Sequence, residues 1–474
     1  MRSPTVYTKL QQLAKQAVQH PDRVFTTVAH LVDVDMLREA FYRTPDKAPG
    51  VDKVTKKAYE RDLEANLVDL HKRLRTGRYF APPVERVWID REDGKKRPIG
   101  KPTLEDKVAQ RAYAMVLSAI YEKDFLSCSY GYRLGLSPHH ALDALRVQAM
   151  KKNVHWVVVA DIKGFFDSIP RGPLREVLHK RVYDGGMMRQ IGKWLNAGVM
   201  EEGHLSYPEQ GTPQGGVISP LLANIYLHEV LDEWFEHQIK PCLKGQAFLI
   251  RFADDFVIGC ELECDARKLM AVLPKRFSRY GLTIHPEKTV LVPFGKPTAS
   301  WEQRNGTFDF LGFTHYWGKT RSGHGVIKRK TSKKKLNRAI KHIWLWCRQN
   351  RHLPFKEQYG ILCAKLRGHI QYYGIRGNIE ALQKVVYRAG RACSSGWIGA
   401  ATRRRCRGSA LNHFSPSTRF HSLASSTPYE PVCKGSTVML EEPDERIVHV
   451  RICGGLVGQP LALPGKARKG QTRS

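Results

Sequence analysis

Residues 248–258 read FLIRFADDFVI. Two adjacent aspartates, Asp254 and Asp255, separate two apolar, β-prone runs, 248–252 and 256–260, so the stretch predicts a hairpin with the acidic pair at its turn. Asp tolerates turn geometry, which accounts for one aspartate better than for two. Adjacent carboxylates repel, and burying them without a cation is costly. A divalent metal removes the conflict. A third carboxylate, Asp161, ends another apolar run, VHWVVVA (154–160). Three carboxylates on neighbouring strand ends are the donor set for two Mg²⁺ ions about 3.5–4 Å apart, the arrangement that activates an attacking hydroxyl and stabilises a leaving oxygen in phosphoryl transfer.

The charge balance points to the substrate. The 474 residues hold 77 Lys+Arg against 45 Asp+Glu, a net charge of +32. Between Lys319 and Ala392 stand 19 basic and 2 acidic residues, so more than half of the excess lies in about a sixth of the chain. Such a segment fits a polyanion held through its phosphates, with steeply salt-dependent binding. The ten cysteines show no framework; Cys260 and Cys264 are the only close pair, and no second Cys/His pair follows, which argues against a zinc site and for reduced thiols. No run approaches the roughly 20 apolar residues of a membrane span, and the first residues lack an apolar signal segment, so a soluble cytoplasmic protein is expected. Residues alone lead to a two-metal enzyme acting on nucleic acid and leave polymerase and nuclease open.

Outward from the acidic hairpin, periodicity predicts an α+β chain. A helix is expected from about Lys56 to Arg75. RVWID and KRPIG flank REDGK as a hairpin with Asp-Gly at its turn. TLEDKVAQRAYAMVLSAIYEKDF reads as a helix capped by Thr103, with Leu104, Val108, Ala112, Met115 and Ala119 on one face. Helical patterns occupy about 172–197, 219–238 and 264–280. After Lys330, three apolar stripes, each at helical spacing, predict a small helical bundle: Leu336, Ile340, Ile343 and Cys347; Tyr359, Leu362, Cys363, Leu366, Ile370 and Tyr373; Ile379, Leu382, Val385, Val386 and Ala389. From about Cys393 the chain turns rich in Ser, Arg, Gly and Pro, and the periodicity weakens.

Taken in order, ADIKGFFDSI, GTPQGGVISPLLANIYL, RFADDFVIG, GLTIHPEKT and FDFLGF resemble the successive palm motifs of reverse transcriptases. The variant they most resemble is the bacterial group II intron-encoded reverse transcriptase/maturase. KAPGVDKVT and RPIGKPTLEDKVAQRA are similar to that family's fingers motifs, and KLRGHIQYYGIRGN to its thumb or maturase segment. The resemblance covers roughly residues 40–390. It implies a right-hand polymerase: an N-terminal extension and start of fingers (1–79), fingers and palm (80–317), and a helical thumb/maturase domain (318–392). Beyond Ala392 the family's pattern is not traceable, and the basic, weakly structured tail (393–474) is open to three readings: a degenerate DNA-binding segment, a disordered one, or a stretch read in an altered frame.

The resemblance also implies roles. Asp161, Asp254 and Asp255 are the catalytic, metal-binding aspartates, with the carbonyl of Ile162 completing one shell around two Mg²⁺. Phe166 is the steric gate under the sugar. Gln214 and Gly215 lie beside the incoming nucleotide, Arg97 and Lys101 clasp its triphosphate, and Lys288 protonates departing pyrophosphate. Phe252 stands where the commoner family form has Tyr, which costs a hydroxyl and no metal ligand. Lys333, Lys334, Lys335, Arg338, Lys341, Arg367 and Arg376 are expected to bind nucleic acid. The implied partners are structured intron RNA, an RNA template with a DNA primer, dNTPs and, as an accessory, target DNA. The rival readings are a reverse transcriptase of a retron, diversity-generating or antiviral defence locus, and a splicing factor that binds RNA without polymerase activity.

Overall fold

The computed structural model describes residues 4–90, 96–201, 204–206, 215–297 and 306–404. The chain divides into two compact units, Met1–Lys328 and Arg329–Ser474. Strands and helices are mixed in the first.

Five strands of that unit precede the acidic hairpin: β1 (Val84–Asp90), β2 (Lys96–Lys101), β3 (Trp156–Ala160), β4 (Val199–Glu201) and β5 (His204–Ser206). The hairpin itself is β6 (Ala247–Phe252) and β7 (Asp255–Cys260), and β8 (Val290–Pro293), β9 (Phe308–Phe310), β10 (Phe313–Lys319) and β11 (Gly325–Thr331) follow. Among the described residues they form three sheets, of order β2–β1–β4–β5, β6–β7–β3–β8 and β11–β10–β9. The second carries the aspartates. Its strands are short, apolar and β-branched; β6 is buried as far as Arg251 and β7 after Asp255, as suits a sheet covered on both faces.

Helices cover it. Leu104–Asp124 is buried along most of its length, and Thr103 accepts the Asp106 amide at its start as the sequence predicts. The helix expected from Lys56 breaks into Lys56–Glu60 and Leu63–Arg75. The pattern at 172–197 divides into Arg171–His179 and Gly185–Leu195, with Asp184 capping the second. Ser219–Leu227 continues into a π-helical stretch, His228–Ile239, which periodicity does not foretell. Asp184 also accepts the amides of Val28 and Ala29, and Arg181 forks onto Asp124 and three carbonyls of residues 17–23, so the N-terminal helix Pro4–Gln19 and its following loop are held to the core.

The second unit is built on the three expected helices, Lys333–Gln349, Phe355–Tyr373 and Ile379–Arg404. Their stripes meet in one core of Ile343, Cys347, Leu362, Leu366, Ile370, Leu382, Val385 and Ala389. The last helix persists to Arg404, past Ala392 where the apolar pattern fades; the tail beyond it lies outside the described residues. Among the described residues no helix is long and apolar enough to cross a membrane.

Candidate active site

Pairing register determines where the aspartates fall. β6 and β7 pair antiparallel down to Phe252↔Asp255, which leaves Ala253 and Asp254 as a two-residue turn and makes Asp255 the first residue of β7. The acidic pair is thus split between turn and strand rather than shared by the turn. Ala253 has φ +57°, a left-handed conformation costly for a residue with a Cβ. β7 pairs antiparallel with β3 as far as Ala160↔Phe256. The recorded pairing ends there; one further step of the same register would set Asp161 level with Asp255. Residues level on antiparallel neighbours project to the same face, their Cβ atoms about 5 Å apart.

Ile162 follows Asp161 and pairs with Ile284 in an isolated antiparallel bridge. The hydrogen bonds around that bridge run from the His285 amide to the Asp161 carbonyl and from the Lys163 amide to the Thr283 carbonyl, both 2.8 Å. Ile162 is therefore the non-hydrogen-bonded member, and its own carbonyl turns away from Ile284. Lys288 is ion-paired with Asp161 through Nζ and Oδ2, a cation already standing at that carboxylate. Three carboxylates and a backbone carbonyl are hard oxygen donors of the kind magnesium takes. Among the described residues no three His, Cys, Asp or Glu side chains are drawn together closely enough to hold a metal ion.

Behind the turn lies a buried charge network that the motifs do not announce. Arg251, fully buried on β6, donates from Nε and Nη2 to the two carboxylate oxygens of Asp232 at 2.7 and 2.5 Å. It also donates to Asn224 Oδ1 (2.9 Å), Ser129 Oγ (2.7 Å) and the carbonyl of Ala253 (3.2 Å). Asn224 in turn donates to the Gly131 carbonyl at 2.6 Å. Residues 128–131 lie alongside β6: the Tyr130 amide bonds the Arg251 carbonyl and the Arg251 amide bonds that of Cys128. The one signal available beforehand was an arginine inside FLIRF, because a charge in a buried strand must be paired.

The other expected residues fall as follows. Phe166 lies on the short helix Phe165–Ser168, entered through Gly164 at φ +58°, and is half-buried with its ring 5.4 Å from Phe165. Gly215 has φ +112° and passes so close to β2 that a Cβ there would lie 2.1 Å from the Gly100 carbonyl oxygen. Only glycine permits that approach. Gln214 lies outside the described residues. Arg97 is on β2 opposite Ile89, and its side chain is likewise not described. Lys101, on the same strand, is ion-paired with Glu85 at 3.0 Å.

In the helix that follows this strand the fully buried Asp106 accepts from Trp194 Nε1 (2.7 Å), Tyr79 (3.0 Å) and Gln110 (2.8 Å), and Gln110 accepts the Ile218 amide at 3.3 Å. Burial pushes the Asp106 carboxyl up to about 6, against the pull of those donors. FLGF forms a tight hairpin: Phe310 pairs with Phe313, and Leu311 and Gly312 both have positive φ. In the second unit Lys333, Lys334, Arg338, Lys341, Arg367 and Arg376 are exposed and Lys335 is half-buried.

Comparison with known proteins supplies the class. Residues 89–315, the segment that carries all three aspartates, match the family described as reverse transcriptase (RNA-dependent DNA polymerase). The match implies the palm-and-fingers polymerase fold.

The chain is also similar to several curated proteins, one of them named as group II intron-encoded. Group II intron-encoded protein LtrA of Lactococcus lactis subsp. cremoris is 34% identical over 224 residues, 47% of this chain and 37% of that protein. Protein YkfC of Escherichia coli (strain K12) is 38% identical over 242 residues, 44% of this chain and 62% of its own length. An uncharacterized 91 kDa protein in a cob intron of Schizosaccharomyces pombe is 35% identical over 243 residues, 50% of this chain and 29% of its own. The chain spans less than two thirds of each. The likeness to group II intron-encoded reverse transcriptases drawn from the motifs is what these matches show.

Proposed function

We propose that the chain is an RNA-directed DNA polymerase that adds dNTPs to a primer 3′ end, and that it binds structured intron RNA in splicing and retrohoming. What supports the reading is the pairing of β3 with β7 as far as Ala160↔Phe256, one residue short of Asp161 and Asp255 and beside the turn bearing Asp254, within a segment that matches the reverse transcriptase family. Asp161, Asp254, Asp255 and the Ile162 carbonyl would hold two magnesium ions, which would supply activation of the primer hydroxyl and neutralisation of charge on the leaving pyrophosphate.

The chain's own residues do the remaining work. Phe166 excludes a ribose 2′-hydroxyl by clash, which selects deoxynucleotides. Gln214 and Gly215 flank the nascent base pair. Arg97 and Lys101 hold the triphosphate, Lys101 exchanging Glu85 for a phosphate; Arg97 offers a fork and Lys101 a point charge. Lys288, positioned by Asp161, donates its Nζ proton to pyrophosphate. The exposed basic residues from Lys333 to Arg376 grip RNA through its phosphates and shape. In this reading residues 80–317 are fingers and palm, 1–79 their N-terminal extension, 318–392 the thumb, and 393–474 a degenerate DNA-binding segment for accessory contact with target DNA.

Primer extension on poly(rA)/oligo(dT) with dTTP and Mg²⁺ tests the proposal. Wild type extends the primer, and Asp254→Ala loses at least about 100-fold in rate. A wild type that adds no nucleotide, or an Asp254→Ala variant that matches it, refutes the reading.

A further inference from the structure

We infer that Arg251 is a positioning residue for the catalytic turn: its buried guanidinium, anchored on Asp232, holds the Ala253–Asp254 peptide and so fixes where the Asp254 and Asp255 carboxylates meet their metal. The inference rests on the polymerase reading and goes beyond it, since Arg251 is buried behind the turn.

Three observations carry it. First, the network is complete: Asp232 takes the guanidinium fork, Asn224 and Ser129 take further N–H groups, and Arg251, Asp232, Ser129 and Asn224 are each 1% exposed or less. A buried ion pair is a weak stabiliser of a fold compared with apolar side chains of the same volume, so its presence suits a role in specifying geometry. Second, the bond to the Ala253 carbonyl falls on the residue of the turn that has φ +57°. A strained conformation persists only where its surroundings over-determine it, and Arg251 is the side chain that grasps this one from inside. Third, the network reaches from the turn into three other elements. Asn224 belongs to the helix Ser219–Leu227 that follows the PQGG loop, Asp232 to the π-helical stretch His228–Ile239, and Ser129 to the segment that ends at Gly131 against the turn. Arg251 therefore ties the metal-binding turn to the helix behind the nucleotide-side loop. Lysine cannot replace it: an ammonium has no fork with which to meet two carboxylate oxygens, an amide oxygen, a hydroxyl and a carbonyl together.

The test compares wild type with Arg251→Lys in the full chain. It measures thermal melting, Mn²⁺ affinity by electron paramagnetic resonance, the single-turnover rate of dTTP addition, and the KM for dTTP. Arg251→Lys is expected to melt cooperatively, to bind Mn²⁺ at least about 5-fold more weakly and to add nucleotide at least about 30-fold more slowly per active molecule, with KM within about 3-fold of wild type, as follows when a catalytic group is misplaced by a fraction of an ångström. Ser129→Ala and Asn224→Ala, each removing one partner, shift both quantities the same way by smaller factors, and they decide the matter if Arg251→Lys does not fold. A role confined to stability lowers the active fraction and leaves Mn²⁺ affinity and the rate per active molecule unchanged; that result in the folded variants overturns the inference. If wild type binds Mn²⁺ yet adds no nucleotide, the polymerase reading fails, and the Mn²⁺ comparison still decides the role of Arg251.

Discussion

Gly131 is where a single methyl group should separate folding from catalysis. It is buried against the acidic turn, and its carbonyl accepts from Asn224. A Cβ at this position would lie 2.3 Å from the Ala253 amide nitrogen and 2.9 Å from the Phe252 carbonyl carbon. Both are backbone atoms, so no side chain can rotate away. Gly131 does not have a positive φ, and steric contact alone decides the outcome. Restoring ordinary contact requires about 1 Å of movement between residues 130–132 and the turn. The turn is the softer side, because Ala253 is already strained while residues 128–130 are bonded along β6. Overpacking of this kind costs about 1–3 kcal/mol of stability, and a displacement of about 1 Å at a catalytic group costs about 100-fold in rate. Gly131→Ala is therefore expected to remain folded at 25 °C, with a lowered melting temperature, and to lose about 100-fold in single-turnover primer extension. Urea unfolding and rapid-quench extension on the same preparation measure the two effects. A folded Gly131→Ala variant with wild-type extension would refute the reasoning, because it would show that the turn does not need its present position.

Gly360 offers the contrast: it lies inside the helix Phe355–Tyr373 with nothing within 4 Å of its would-be Cβ, so Gly360→Ala should stabilise the second unit by about 0.5–1 kcal/mol in urea titration without altering extension. Asn378, 1% exposed, accepts the Thr331 amide at 2.8 Å and donates to Thr331 Oγ1 at 2.7 Å and the Tyr373 carbonyl at 2.8 Å; Asn378→Ala leaves these groups without partners and should cost about 3 kcal/mol by the same titration. Asp106 gives a pH signature. Its carboxyl titrates at about 6 in the folded protein against the ordinary 3.8, so its contribution to stability is fully present below about pH 4 and is lost as pH rises through 6. The stability difference between wild type and Asp106→Asn should accordingly shift against wild type by about 2 kcal/mol between pH 4 and pH 6.5, and a difference independent of pH would contradict the burial of that charge.

Much of this architecture can be read from local pattern, and the limits of that reading are physical. The three helices of the second unit follow from unbroken apolar stripes, and β6, β7 and β3 from β-branched runs with a polar residue at each end. The turn shifted by one residue because pairing Phe252 with Asp255 lets a two-residue connection close the hairpin, at the cost of left-handed strain at Ala253. Local reading missed features whose partners are distant in sequence. Arg251 meets Asp232, Asn224 and Ser129 across 19, 27 and 122 positions, and Lys288 meets Asp161 across 127. The π-helical stretch has no periodicity of its own that the pattern at 219–238 could reveal. The two-residue interruption at Arg61–Asp62 lies between runs that both look helical.

The central claim is that Asp161, Asp254 and Asp255 share divalent metal at the strand ends of one sheet. Anomalous diffraction from a crystal of the full chain grown with Mn²⁺ and a non-hydrolysable dNTP addresses it directly. The account predicts ion density bounded by all three carboxylates and the Ile162 carbonyl, at about 2–2.3 Å from each coordinating oxygen. Density elsewhere, or an Asp161 carboxylate still paired with Lys288 and outside the shell of every bound ion, would contradict it.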